Sequence, residues 1–355
     1  MKYRVLVEAP YLTMSGYGEH SRLVLEAMKT DEQFDIYGLP LEWGSTSWLA
    51  SDDKSRQWLD SISIKTLETE NKDFDLHVFV GIPSEFTKKA PKAICVTAGI
   101  EVDRVDPSWL LKSFEIDKII VPSEYSKTVF LNTTYETDQS KEKKIQPLTC
   151  NAPIQVVPYS VREYQPSKTM DLKFTTKFNF LNVAQWGPRK NLDLCIKWFV
   201  ESFHDNPDVG LILKTNLARN CLMDREATQG TLKGVLSAVD PDNNRKCKVY
   251  LLHGDLTEGQ LADVYTDDSI KAMVSTTHGE GFGLPLFEAV CHKMPVLATN
   301  ATGHLDFLYC PDEENKLTAH FAKVDFTVEK IPPSAAWEGI IPSESRWVCP
   351  IESSF

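Results

Sequence analysis

Short apolar runs alternate with helical patterns along the whole chain, and this alternation limits the fold more than any other feature. The runs are rich in Val, Ile and Leu and are bounded by polar or turn-forming residues, which is typical of buried strands. Because helices separate the strands, the sequence predicts an α/β protein with mainly parallel sheets. The predicted strands are Tyr3–Glu8, Phe34–Leu39, Asp75–Val80, Ala93–Thr97, Lys118–Val121, Ile154–Val157, Phe178–Val183, Gly210–Lys214, Lys248–His253, Ala272–Ser275 and Pro295–Ala298.

One helix is specified by its apolar period. Its apolar residues recur at the spacing of a single helix face and are Leu192, Cys195, Ile196, Phe199, Val200 and Phe203. Further helices are predicted over Gly18–Lys29, over Ser123–Asn132 and from about Leu284 to Cys291.

The length of 355 residues fits about two domains. We interpret the polar stretch Tyr159–Lys177 as an interdomain linker and Thr133–Asn151 as a surface insertion. The expected division is an N-terminal Rossmann-like domain over residues 1–165, a second over 166–330, and a tail over 331–355. Two such domains facing each other across a cleft would bind ligands at the carboxyl ends of their strands.

Composition excludes several classes of protein. The net charge of −12 argues against a general basic surface for nucleic acid or anionic membrane. No apolar run approaches the roughly 18 residues of a membrane span, and the N-terminus has no signal-peptide layout. The eight cysteines form no C-x-x-C pair, so neither a zinc site nor a disulfide framework is expected. We therefore predict a cytoplasmic protein with reduced thiols and no metal.

The stretch "HGEGFGLPLFEAV" at 278–290 joins a glycine-rich loop to a helix. Pro285 suits a first helical turn, so the loop Gly279–Gly283 lies at a helix N-terminus, where small residues and free N–H groups favour an anion or sugar oxygens. Glu288 follows on that helix, and its carboxylate can hold two neighbouring hydroxyls. Glu280 and Glu288 therefore bracket a site shaped for a nucleotide sugar. The alternative is a turn whose glutamate only interacts with the helix dipole.

Three other places carry candidate chemistry. The loop Ser15–Gly18 follows the first strand and opens a helix, although an ordinary βα turn has the same residues. Arg189 and Lys190 precede the periodic helix and are suited to a departing diphosphate; the alternative is a pair of solvated charges. Glu101, after the strand Ala93–Thr97, either binds a sugar or acceptor hydroxyl or faces water. His278 and His304 are as well explained by packing as by sugar contact.

These segments together resemble the retaining family 4 glycosyltransferases. The pattern of a glutamate, seven residues and a second glutamate is matched by Glu280 and Glu288. Other segments align in order: "SGYGEHSR" (15–22), "VTAGIEVDRVDPSWL" (96–110), "IIVPSEYSKTVF" (119–130), "VVPYSV" (156–161), "FLNVAQWGPRKNLDLCIKWF" (180–199) and "MPVLATNATGHLDFL" (294–308). The residues of these segments most resemble those of enzymes from tailed phages and marine bacteria.

The resemblance implies the GT-B architecture of two facing Rossmann-like domains. It implies a nucleotide-sugar co-substrate with no other cofactor and no metal. Lys190 matches the family's phosphate-binding lysine, whereas Gln185 stands where an arginine or lysine is usual. Family members usually continue into C-terminal helices beyond the point where this sequence ends, so the tail is interpreted as truncated or short. The resulting site prediction is Glu280, Lys190, Arg189 and Glu101 as catalytic residues and Gly16, Gly18, Gly281, Phe282, Gly283, Leu284 and Glu288 as donor-binding residues.

The predicted activity is transfer of a sugar, with retention, from a nucleotide sugar to a hydroxyl of a glycan or another phage or host acceptor, in a host cytoplasm if a phage encodes the chain. Two alternatives remain. One is glycosylation of hydroxymethylated bases in DNA, which the charge of −12 disfavours. The other is a binding protein that keeps the fold without turnover, which Gln185 favours and the glutamate pair opposes.

Overall fold

The computed structural model describes residues 2–136, 147–161 and 164–355. The chain divides into two compact units. Unit 1 comprises Met1–Ser160 and Lys330–Arg346, and unit 2 comprises Val161–Glu329 and Trp347–Phe355. Residues 331–355, which the sequence sets apart as a tail, are thus shared between the units. Part of the predicted insertion (137–146) and part of the predicted linker (162 and 163) lie outside the described residues.

Unit 1 is built on a six-stranded parallel sheet with strands in the order β2-β1-β3-β4-β5-β8. A short antiparallel pair, β6 and β7, lies outside that sheet. The strands are β1 (Tyr3–Ala9), β2 (Phe34–Pro40), β3 (Leu76–Val80), β4 (Lys92–Val96), β5 (Lys118–Val121), β6 (Tyr135–Glu136), β7 (Pro147–Leu148) and β8 (Ile154–Val156). The helices are α1 (Gly16–Lys29), α2 (Lys54–Glu68), α3 (Pro107–Lys112) and α4 (Glu124–Asn132).

The core of unit 1 forms because alternate residues of each strand face the same helices. Val5 and Val7 of β1 are fully buried and share a cluster with Leu25 of α1 and with Leu59 of α2. Each of the four helices begins at a Ser or Asp whose side chain accepts a backbone N–H of the first turn. Helices α2 and α3 have no counterpart among the predicted elements, because α2 buries only three residues and α3 spans fewer than two turns.

Unit 2 has a second six-stranded parallel sheet, in the order β11-β10-β9-β12-β13-β16. Counted within the unit, this is the 3-2-1-4-5-6 order of a dinucleotide-binding fold. The strands are β9 (Phe178–Val183), β10 (Val209–Lys214), β11 (Lys248–Leu252), β12 (Ile270–Ser275), β13 (Val296–Thr299), β14 (Tyr309–Pro311), β15 (Leu317–Ala319), β16 (Ala322–Val324), β17 (Phe326–Lys330) and β18 (Arg346–Pro350); β14 pairs with β15 and β17 with β18. The helices are α5 (Leu192–Phe203), α6 (Leu222–Val239), α7 (Glu258–Thr266), α8 (Leu284–Cys291) and α9 (Leu305–Leu308).

The predicted apolar face of α5 is confirmed. Cys195, Ile196, Phe199 and Val200 are almost fully buried and pack in one cluster with Leu211 of β10. This face fixes α5 on the sheet, and so fixes the loop between β9 and α5 at the carboxyl edge of the strands. Each unit is an α/β fold built on a parallel six-stranded sheet, and this confirms the predicted fold class. No helix in the described ranges is long and apolar enough to cross a membrane.

Candidate functional site

The order of strands in unit 2 reverses between β9 and β12, which are neighbours in the sheet. Ligands of open α/β sheets bind outside the carboxyl ends of the strands at such a reversal. The loop after β9 contains a short 3₁₀ helix, Pro188–Lys190, and ends at Asn191 in the left-handed conformation (φ 55°). The loop after β12 is the glycine-rich stretch that leads into α8. Both predicted charged segments of this unit therefore lie at its switch point, the place where the order of the strands reverses.

Glu280 joins the two loops through a pair of cations. Its Oε1 accepts a hydrogen bond from Lys190 Nζ at 2.6 Å and lies 3.2 Å from Arg189 Nη1. Burial raises the pKa of the Glu280 carboxyl, but the charges of Lys190 and Arg189 outweigh it and lower the pKa to about 2. Arg189 Nη1 also donates to the carbonyl of Gly279 at 2.7 Å. The site thus holds an ionised carboxylate with two cations already gathered around it.

The main chain of Glu280 is held by a turn that follows β13. Its N–H donates to Thr302 Oγ1 at 3.0 Å, and its carbonyl accepts from the N–H of Gly303 at 2.9 Å. Thr302 has a φ of 69°, a conformation that β-branched residues rarely adopt. A Cβ at Gly303 would stand 2.1 Å from the carbonyl oxygen of Gly281, so only glycine fits there. Neither residue is among the predicted site residues; the available signal was the "NATG" that directly follows β13.

The start of α8 leaves backbone donors free of a side-chain cap. Gly283 precedes the helix with a φ of 91°, which favours glycine, and Leu284 is the first helical residue. No described side chain caps this helix, and Pro285 sits in its first turn as predicted. Phe282 is buried, with its ring against Phe287 and Phe307 at centroid distances of 5.2 and 5.1 Å. Phe282 therefore anchors the loop to the core, and any ligand contact falls to its main chain.

A small cavity opens beside this loop. It lies at the ends of β9 and β12, and Glu280 and Lys190 form part of its wall. Its lining residues are Asn182, Val183, Ala184, Lys190, Met273, Ser275, Glu280, Gly283, Pro285 and Leu286. Polar and apolar side chains share this wall, and its Lys190 and Glu280 are the hydrogen-bonded pair of the charged cluster.

Glu288 is buried on α8 and is not one of the residues that line this cavity. Its Oε2 accepts a hydrogen bond from the hydroxyl of Tyr265 at 2.9 Å. Burial, and then the charge of Glu288, raise the pKa of the Tyr265 phenol well above its ordinary value. The structure therefore gives Glu288 a structural partner in the protein itself.

Gln185 does not replace the missing cation. Its side-chain amide donates to the carbonyl of Leu217 at 2.8 Å. The positive charge of the described loops at this switch point therefore comes from Lys190 and Arg189.

The two histidines of the region are built into the fold. His304 is fully buried and its Nε2 lies 2.7 Å from the carbonyl of Thr299, while its Nδ1 has no described hydrogen-bond partner. His278 Nδ1 lies 2.6 Å from the carbonyl of Val348. Because a carbonyl only accepts, each of these nitrogens carries the proton. Burial lowers the pKa of both imidazoles.

Unit 1 carries the remaining predicted residues. The Oγ of Ser15 accepts the N–H of Gly18 at 2.9 Å, and a Cβ at Gly18 would stand 2.1 Å from the carbonyl oxygen of Thr13. A Cβ at Gly16 would meet no described atom within 4 Å, so this part of the loop is open. Glu101 is half-buried in the loop after β4. Glu101 belongs to unit 1, whereas Glu280 belongs to unit 2.

The described part of the chain contains no group of three or more His, Cys, Asp or Glu side chains arranged to hold a metal ion.

No protein-family model and no curated protein matches the sequence. The structure, however, is similar to several solved structures. They include HepE from Anabaena in complex with UDP and glucose (13% identity, 87% of this chain and 84% of that chain covered, TM-score 0.55). Sucrose-phosphate synthase from Thermosynechococcus elongatus shares 14% identity over 92% and 86% of the two chains, with a TM-score of 0.58. The E. coli trehalose-6-phosphate protein bound with UDP-2-fluoro glucose shares 14% identity over 86% of each chain, with a TM-score of 0.55.

At these identities the similarity concerns the fold. Each match spans more than four fifths of both chains, so it includes both parallel sheets. Nothing in these comparisons supports the predicted likeness to phage or marine sequences. The chain therefore has the GT-B fold, with two Rossmann-like α/β units, as its sequence predicts.

Proposed function

We propose that the protein is a retaining glycosyltransferase that uses a nucleotide-sugar donor and no metal. The observation that carries this proposal is the cluster of Lys190, Arg189 and Glu280 at the switch point of unit 2. The GT-B fold adds support, because HepE was solved with UDP and glucose and the E. coli protein with a UDP sugar.

In the proposed mechanism the two cations receive the donor diphosphate. A lysine ammonium has three N–H donors, so Lys190 can bond to phosphate oxygens as well as to Glu280. As the glycosidic bond breaks, negative charge grows on the departing diphosphate, and fixed cations stabilise it more in the transition state than in the ground state. The backbone of residues 281–284 lies at the start of α8, where an anion is also favoured.

Glu280 then has two functions. Its Oε1 holds Lys190 and Arg189, and we assign Oε2 to a hydroxyl of the transferred sugar. An acidic pKa suits both, because the carboxylate stays ionised at neutral pH and accepts hydrogen bonds only. Glu288 is assigned to the ribose diol, with Tyr265 orienting its carboxylate from the protein side.

Retention follows if the leaving phosphate oxygen removes the proton of the acceptor hydroxyl on the face from which the diphosphate departs. The new glycosidic bond then forms on that same face. This account requires no carboxylate nucleophile. In unit 1, Gly16, Gly18 and Glu101 are assigned to the sugar and the acceptor.

We propose a glycan as the acceptor. No observation favours hydroxymethylated DNA, and a net charge of −12 opposes a general basic surface for a DNA backbone. DNA binding would fall steeply with salt, so a gel shift with modified duplex DNA at two salt concentrations separates the two acceptors.

The test of the donor site is a thermal-shift screen with UDP, UDP-glucose, GDP-mannose and the free sugars, each with and without EDTA. One nucleotide sugar at 100 times its Kd should stabilise the protein by about 2.7 kcal/mol, whether or not the chelator is present. Chelator-sensitive binding would contradict the metal-free mechanism. Binding without sugar transfer or donor hydrolysis would favour a binding protein that lacks turnover. If a folded sample responds to none of the nucleotides, the proposed donor site is wrong.

A further inference from the structure

Trp347 and Val348 of β18 contact His278, the residue directly before the glycine-rich loop of unit 2. Val348 and His278 exchange two hydrogen bonds: Val348 N–H donates to the carbonyl of His278 at 3.2 Å, and His278 Nδ1 donates to the carbonyl of Val348 at 2.6 Å. Trp347 covers the imidazole, with ring centroids 4.1 Å apart and an interplanar angle of 8°. All three residues are at most 9% exposed. This is a packed joint with defined geometry, and the proposed mechanism does not use it.

On its other side His278 is bonded to the cation-bearing loop. The N–H of His278 donates to the carbonyl of Arg189 at 2.8 Å, and Arg189 Nη1 returns a bond to the carbonyl of Gly279 at 2.7 Å. A continuous chain of hydrogen bonds therefore runs from Val348 through His278 to Arg189, and Arg189 is one of the two cations on Glu280. Displacement of the segment at 347–348 would move the main chain two residues before Glu280.

The position of such a carboxylate matters because misplacement of reacting groups by about 1 Å can cost about 100-fold in rate. Glu280 is fixed from one side by Thr302 and Gly303. The joint at His278 supplies the second support, and supporting contacts of this kind are what hold a functional side chain within its productive geometry.

We propose that Trp347 and Val348 form a clamp on the glycine-rich loop and that His278 is a positioning residue for sugar transfer. The proposal rests on the proposed function, because it assigns Glu280 and Arg189 to the donor. The imidazole acts as a neutral donor: its Nδ1 proton faces a carbonyl, and its burial favours the uncharged ring.

The first measurement needs no substrate. Hydrogen exchange of the ligand-free protein reports the opening of the peptide that covers residues 278–284. In His278→Ala we expect exchange there to be about 10-fold faster, the value of one lost hydrogen bond. Trp347→Leu removes the ring stacked on the imidazole and should also make exchange there faster. His278→Asn retains a donor near the position of Nδ1 and should restore slow exchange, whereas His278→Gln places its amide one carbon further out and should not. His320→Asn, a change at an exposed histidine of the same unit, is the control.

The second measurement is turnover of UDP-glucose. His278→Ala and His278→Gln should lower kcat about 10-fold with KM changed less than about threefold, and His278→Asn should recover most of the rate. Equal exchange in the Asn, Gln and wild-type proteins would overturn the clamp, as would faster exchange with unchanged kcat. If the wild-type protein neither binds UDP nor turns over UDP-glucose while the exchange pattern holds, the joint stands as a loop clamp and the proposed function with this donor is what fails.

Discussion

The loop after β1 in unit 1 and the loop after β9 in unit 2 occupy equivalent places and carry different chemistry. Each follows a strand at which the order of its sheet reverses. In unit 1 the polar groups bond to the loop itself: Thr13 Oγ1 donates to the carbonyl of Pro10, and Arg22 reaches the carbonyls of Tyr11 and Thr13. In unit 2 the loop presents Arg189 and Lys190 to a carboxylate from a neighbouring strand's loop.

The difference shows that a switch point determines where a ligand can bind but not which chemistry the site has. Parallel strands bring loop residues together at their carboxyl edge in both units, but the charged chemistry depends on a few side chains. Unit 2 has the features of an anion site, namely clustered cations, an uncapped helix start and a glycine-rich approach. Unit 1 offers open backbone at Gly16 and the half-buried carboxylate of Glu101, which are better suited to neutral hydroxyl groups.

The largest expected effect is that of removing a cation from unit 2. Lys190→Ala should lower turnover of the nucleotide sugar about 100-fold, because one preorganised charge at the leaving group is lost. Lys190→Arg should retain a larger part of the rate. Lys177→Ala removes the same charge from an exposed pair with Asp208 in the same unit and should leave the rate unchanged. Equal losses from both alanine variants would mean that overall charge, and not the switch point, carries the effect.

The second prediction concerns how the free energy of unfolding depends on pH through the ionised Glu280 of unit 2, which is paired with Lys190 and Arg189. The pKa of Glu280 is lowered from its ordinary value near 4.5 to about 2, so its ionisation stabilises the fold fully above about pH 4.5. That contribution is lost as pH falls from about 4.5 towards 2. Glu280→Gln should therefore lower the free energy of unfolding by about 2 kcal/mol at pH 7, and the difference from the wild type should shrink between pH 4.5 and pH 2.

Urea unfolding of both proteins at several pH values measures this difference. The control is Glu288→Gln, which changes a buried carboxylate on α8 that accepts a hydrogen bond from Tyr265. A constant difference between wild type and Glu280→Gln across the whole range would show that the carboxylate is not held ionised by Lys190 and Arg189.

The third prediction separates donor binding from packing at Glu288. If Glu288 holds the ribose, Glu288→Ala should weaken nucleotide binding about 10-fold, the value of a hydrogen bond to a charged group, with little change in kcat. Tyr265→Phe removes a hydroxyl that bonds to Glu288 from the protein side and should change the affinity less than about threefold. Calorimetric titration of both variants with UDP measures these affinities and separates ribose binding from a structural role of Glu288. Unchanged affinity in Glu288→Ala would leave Glu288 a purely structural role.

The sequence predicted most of the fold because burial imposes a regular pattern. The eleven predicted strands and the apolar face of α5 are present, with ends that differ by at most two residues. The missed helix α2 lacks such a pattern, since its buried face has only Leu59, Ile62 and Thr66. Short strands such as β14 and β15 also escaped the prediction, because three residues are too few to show a period.

The site was predictable in its residue types and less so in its partners. The sequence places Lys190 and Glu280 after two strands, but their contact depends on β9 and β12 being neighbours, which chain order does not reveal. The supports from Thr302, Gly303 and Val348 come from distant parts of the chain. Glu288 illustrates the opposite case: its spacing suggested a ligand, and the structure adds Tyr265 as a partner.

The smallest expected effect lies in unit 1 and tests whether its open loop contributes at all. Gly16→Ala should leave the melting temperature nearly unchanged, because a Cβ there meets no described atom within 4 Å. If the sugar or acceptor approaches this backbone, the added methyl group should lower turnover by about threefold, a modest steric effect. Gly18→Ala is the matched contrast: its Cβ would collide with Thr13, so it should cost about 1–3 kcal/mol of stability. Full activity in Gly16→Ala would confine the donor chemistry to unit 2 and leave Glu101 as the unit 1 residue to test next.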